Sequence, residues 1–134
     1  MRLLVVTSRP ITAQQLRDAL PDVDPRDAEV MVVAPALQES GVKFWLSDAD
    51  EAIARAQQVR SETVEQLGEG GVSAHGETGE SDPMQAIEDA LTMFPADRVL
   101  VFLHAGDGAG YREDLDETEA RERFGVPVDL VPVA

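Results

Sequence analysis

The sequence predicts an α/β fold, a doubly wound five-stranded parallel sheet in the order 3-2-1-4-5 with helices on both faces. Three observations carry this reading. Strand-like and helix-like segments alternate along the 134 residues, which dictates parallel strands joined by right-handed crossovers. Most strand runs are dense in Leu and Val, as strands covered on both faces must be. The run VLVFLH then empties into the glycine-rich loop AGDGAG, followed by an acidic helix, and a glycine loop opening a helix is the usual phosphate cradle of an open α/β sheet. The length fits one domain, residues 1–134, large enough to bury a core without disulfides or metals.

Each element has its own signal. Arg2–Thr7 is a short aliphatic strand. A helix starts at Thr12, with Gln15 completing a capping box and Ile11 meeting Leu16 as a hydrophobic staple, and it ends near Pro21. The loop DVDPRD leads to a second strand, Glu29–Ala34, stopped by Pro35. Pro35 to Leu46 reads as a loop holding Phe44 and Trp45, two of the six aromatic residues. Ser47 caps a long helix with Asp50 at the box position, and Ala49, Ala52, Ile53, Ala56, Val59, Thr63, Val64 and Leu67 form one core-facing stripe.

Gly68, Gly70 and Gly71 stop that helix. Val72–Glu77 is the weakest strand, with Ala and His where Val or Ile is expected, so it is placed at a sheet edge. Asp82-Pro83-Met84-Gln85 opens a third helix with an N-cap, a first-turn proline and a box residue. Met84, Ile87, Ala90, Leu91 and Phe94 make its buried face, and Pro95 closes it. The strand Arg98–His104, the glycine loop, the acidic helix and a last strand Val128–Val133 complete the chain. Pro132 places that last strand at an edge, where a second chain can pair with it.

Composition narrows the function. Eleven basic residues face 26 acidic ones, a formal net charge of −15, and such a chain is repelled by nucleic acid and by anionic membranes. There is no cysteine, which removes disulfides, thiolate metal sites and cysteine nucleophiles. Met1 leads directly into LLVVT with no basic and apolar leader, and the apolar runs are of strand length, so a cytoplasmic protein is expected.

In an open sheet a ligand sits at the carboxyl ends of the strands, where the strand order reverses. In this order that crevice lies between the first and fourth strands, lined by Thr7, Ser8 and Arg9 on one side and His104, Gly106, Gly108 and Gly110 on the other. Arg9 and Arg112 are the cations expected there, able to hold a phosphate or to pair with the surrounding carboxylates. The three glycines are read as a loop permitting positive φ, with a shallow anion nest as the alternative. Asp107, Glu113, Asp114, Asp116 and Glu117 argue against a phosphate, because carboxylates compete with it for the same N–H groups and repel its charge. His104 ends a central strand, as a general base or a satisfied strand-end histidine. His75 has no second ligand at metal-binding spacing, and no metal is expected. Phe44 and Trp45 are read as a lid on the core, with stacking on an adenine or anchoring of a partner protein as alternatives.

The whole chain resembles the universal stress protein family, in the adenine-nucleotide alpha hydrolase-like class, as a divergent, actinobacterial-looking branch. LLVVT stands at the family's first strand, and GETGESDPMQAIEDAL is similar to its "G-x-x-x-D-P-x-x-A-I" entry to the third helix. FPADRVLVFLHAGDGAG matches its "ADLIVVGSRGRG" segment, and RFGVPVDLVPV its closing strand. The resemblance implies a cytoplasmic homodimer, often paired through the last strands, and in one subgroup ATP binding. That subgroup has an Asp after the first strand and a G-x2-G-x9-G-[ST] pattern. This chain has Thr7 and Ser8 at the first place, and a pattern begun at Gly106 meets Ala109, Glu119 and Ala120. The expectation is therefore a homodimeric binding or signalling module in the stress response, not an enzyme and without tight ATP binding. The alternatives are an ATP- or AMP-binding stress protein using the Gly106–Gly110 loop, and an enzyme with His104 as base. A response-regulator receiver is disfavoured, since TSRP replaces its acidic cluster and Lys43 is the only lysine.

Overall fold

Strands that are apolar on both sides have to be covered from both sides, and this requirement organises the molecule. The computed structural model describes residues 1–36, 49–79, 83–104 and 117–133. Five strands, β1 (Arg2–Thr7), β2 (Glu29–Pro35), β3 (Ser73–Gly79), β4 (Arg98–His104) and β5 (Val128–Val133), pair in parallel in the order β3-β2-β1-β4-β5. This is the topology the sequence predicts. The helices are α1 (Ala13–Ala19), α2 (Ala49–Glu69), α3 (Pro83–Met93) and α4 (Glu117–Phe124). The stretch expected to be a plain loop before β2 contains a 3-10 turn, Pro25–Asp27. Asp24 caps that turn, and the hydrogen bonds from Arg26 hold its carboxyl below the usual carboxylate range.

Alternation along the strands sorts the core into two layers. On one face Leu3, Val5, Val30, Val32, Leu100 and Phe102 pack with Ile11, Ala13 and Leu16 around α1 and with Leu67 of α2. On the other, Leu4, Val6, Met31, Val33, Val99 and Val101 pack with Met84, Ile87, Ala90 and Phe94 around α3 and with Ala120 of α4. The capping box of Thr12 and Gln15 forms as expected, and Ile11 and Leu16 share one cluster. At the start of β4 the guanidinium of Arg98 binds Asp129 at 2.9 Å and Asp22 at 3.2 Å. Burial works against its charge, but these partners outweigh burial and raise its pKa above the ordinary value.

Three boundaries and one side chain differ from expectation. β2 runs through Pro35 instead of stopping before it. Glu29 N–H donates to Met1 O at 2.9 Å and Ala36 N–H donates to Gly79 O at 3.1 Å. Odd residues of β2 therefore aim their backbone groups at β1 and even ones at β3. The donor that Pro35 lacks would face β1 beyond its last pair, Val6 with Val33, so nothing is lost. β3 covers Ser73–Gly79 rather than Val72–Glu77, because Val72 N–H is used to close α2 on Leu67 O at 2.9 Å. Ile53, assigned to the buried stripe of α2, is 41% exposed. It lies one position round from Ala52, on the flank of the stripe. The expected caps Ser47 and Asp82 lie outside the described residues, as does the opening of the acidic helix.

Both sheet edges lie where the sequence places them. Val99 N–H donates to Pro127 O at 2.9 Å, so Asp129, Val131 and Val133 aim their backbone groups at β4. Val128, Leu130 and Pro132 then aim theirs at the open edge, and the N–H missing from Pro132 is an outward one. None of the described helices is long and apolar enough to cross a membrane.

Candidate functional site

The two strands next to each other at the centre of the sheet send their following helices to opposite faces. α1, after β1, packs in the layer of Leu100 and Phe102, whereas Ala120 of α4, after β4, packs in the layer of Val99 and Val101. The carboxyl ends of β1 and β4 are therefore the switch point of the sheet, the place where open α/β sheets bind ligands.

Thr7 and His104 are the polar side chains buried at this point, and Thr63 is the other buried polar residue among those described. Thr7 pairs with Phe102. His104 is two residues beyond Phe102 on the same face of β4, opposite Val133. The structure thus brings Thr7, Ser8, Arg9 and His104 to one end of the sheet. Gly106, Gly108, Gly110 and Arg112 lie outside the described residues, as do Phe44 and Trp45.

The side chain of Thr7 is committed locally. Its hydroxyl donates to Arg9 O at 2.5 Å and accepts the Arg9 N–H at 3.4 Å, closing a turn on itself. The wording Thr-Ser-Arg-Pro carries the signal for this. Threonine forms such side-chain turns with the backbone two residues on, and Pro10 biases Arg9 to an extended conformation. From its place at the strand end Thr7 is expected to face a ligand, but its hydroxyl is engaged by the Arg9 backbone.

Arg9 projects differently. Arg2, Arg26, Arg98, Arg121 and Arg123 are each ion-paired with a carboxylate. The exposed guanidinium of Arg9 makes no hydrogen bond or ion pair to any described residue. An exposed cation at the end of β1, in a chain of net charge −15, is a candidate anion contact. Among the described residues no group of three or more His, Asp or Glu gathers as a metal site.

No protein-family model matches the chain, and no curated protein matches it in sequence. Solved structures do match in shape. A universal stress protein from Archaeoglobus fulgidus superposes with a TM-score of 0.61 at 18% identity, covering 98% of this chain and 93% of its own. A universal stress protein family protein from Arabidopsis thaliana, solved with AMP bound, gives 0.61 at 13% identity, covering 100% and 93%. The chain therefore has the universal stress protein fold, nearly end to end.

Proposed function

We propose that the protein is a universal stress protein that works as a homodimeric binding or signalling module in the cytoplasm, without catalysis and without tight ATP binding. The fold, shared over almost the whole length with universal stress proteins, supports the stress-response role. The observation that carries the weak-nucleotide part is the closed turn of Thr7 onto Arg9. Nucleotide-binding members resemble this chain but carry an aspartate where Thr7 and Ser8 stand. Here the hydroxyl at that place is used up by its own backbone. Homodimerisation belongs to this reading, and the sheet offers two open edges for it, β5 (Val128–Val133) and β3.

A second reading rests on one feature, the exposed guanidinium of Arg9 at the end of β1. On that reading the protein binds AMP or ATP in the crevice, with Arg9 and the Gly106–Gly110 loop on the phosphate. AMP is bound in the Arabidopsis thaliana protein of the same fold. Isothermal titration with ATP plus Mg²⁺, and with AMP, separates the two. The first reading expects no binding tighter than a Kd of about 0.1 mM. A Kd of a few μM that Arg9→Ala weakens by about tenfold would establish the second instead.

A further inference from the structure

Resting on the homodimeric reading above, we propose that the edge of β3 is the self-association surface, taking the β3 strand of a second copy of this chain in antiparallel pairing about Gly76. Hydrogen-bond phase supports this first. Gly79 O accepts from Ala36, so the odd residues of β3 face β2. Ala74, Gly76 and Thr78 therefore present their N–H and C=O groups to the outer edge, where no described strand meets them. Unlike β5, whose Pro132 deletes an outward donor, β3 contains no proline and keeps every donor.

Register follows from the same phase. A two-fold axis at Gly76 is the arrangement that overlaps the whole strand, Ser73 to Gly79. It makes hydrogen-bonded pairs of Gly76 with the partner's Gly76, and of Ala74 with the partner's Thr78. His75 then falls directly opposite the partner's Glu77, in a non-hydrogen-bonded pair whose Cα atoms are about 4.5 Å apart, the closer of the two spacings. By symmetry this contact occurs twice. Both side chains are exposed on the same face, His75 lying edge-on to Phe94 with centroids 5.4 Å apart. An imidazole N–H can donate to a carboxylate, so the pair is complementary. Moving the axis by one residue keeps the phase but sets His75 against His75, or Glu77 against Glu77, which loses the complementary pair, and two glutamates directly opposite are destabilising. Of the registers that the hydrogen-bond phase allows, strand overlap and the His75–Glu77 pair select this one.

The helix above the edge supplies a further observation. A Cβ on Gly76 would meet Cγ of Arg60 at 2.3 Å and Val64 at 3.1 Å, so α2 lies closely over the middle of β3. Positions 53, 57, 60, 64 and 68 share that flank of the helix. It carries Ile53, 41% exposed, at one end, and Gly68, whose Cβ position is open space, at the other. A two-fold through Gly76 brings the Ile53 end of one helix towards the Gly68 end of the other, where an apolar side chain finds room. The cost is the approach of the two Arg60 guanidinium groups and the net charge of −15 on each copy. Both are screened by salt.

Sedimentation velocity in about 0.5 M NaCl, where the Debye length is under ~5 Å, tests this. The wild type sediments as a dimer. His75→Glu, which sets glutamates opposite each other twice, weakens it by about tenfold. The double exchange His75→Glu with Glu77→His recreates the pair in reverse and restores the wild-type dissociation constant to within about twofold. Ile53→Arg, on the helix flank, weakens the dimer independently and serves if a β3 variant fails to fold by circular dichroism. A monomeric wild type at about 0.1 mM overturns the proposal. So does a dimer that ignores His75→Glu and Ile53→Arg but dissociates on Val131→Arg, which would assign the pairing to β5.

Discussion

Thr7 and Thr63 are both fully buried, and their hydroxyls meet different fates. That of Thr7 exchanges hydrogen bonds with the backbone of Arg9 and so shapes the end of β1. That of Thr63, buried on α2, has no hydrogen-bond partner among the described residues. A buried hydroxyl left unpaired costs desolvation with no return. Thr63→Val removes the polar group and keeps the branched shape, and it should raise stability by about 1 kcal/mol in urea denaturation. A loss of stability would show that the hydroxyl is satisfied in solution. Sequence periodicity placed Thr63 in the buried stripe, but periodicity reports burial and not hydrogen bonding. The same limit hid the closure of Thr7, whose side chain was legible as strand-end polar but not as already occupied.

Among the elements, the helix termini were the most legible because capping is local chemistry. Thr12 with Gln15, Pro83 at a first turn and the glycines that end α2 each state a boundary within a few residues. α2 ends in a Schellman motif, with Val72 N–H on Leu67 O and Gly71 N–H on Gly68 O at 3.0 Å. It requires Gly71 to adopt φ +83°. Gly71→Ala should cost about 1–2 kcal/mol by chemical denaturation, with the fold retained. An unchanged midpoint would mean that the turn relaxes to another cap. Where an element's limits depend on a neighbouring strand, local signals misplaced them by one or two residues. Pro35 is tolerated in β2 because β1 has already stopped pairing, and the start of β3 is set by the closure of α2.

At the scale of the whole molecule, alternation and crossover handedness gave the parallel sheet, the weak third strand and Pro132 gave its two edges, and the observed order β3-β2-β1-β4-β5 agrees with both. The position of the crevice was legible for the same reason, since a switch point is a property of topology. The state of the crevice was not. Whether a Thr–Ser–Arg turn is open or closed, and whether Arg9 is paired, depends on side-chain geometry that spacing does not encode. The charge of −15 acts at this scale too, since it disfavours both a phosphate in the crevice and a second copy at an edge. Weak nucleotide affinity and self-association belong to one molecule, and native mass spectrometry reads both in a single spectrum. The protein should be purified gently and measured from volatile salt with and without ATP, AMP and Mg²⁺. A dimer mass with no nucleotide adduct is expected under either condition. A retained or acquired nucleotide would contradict it, showing that the crevice still takes a phosphate despite the closed turn.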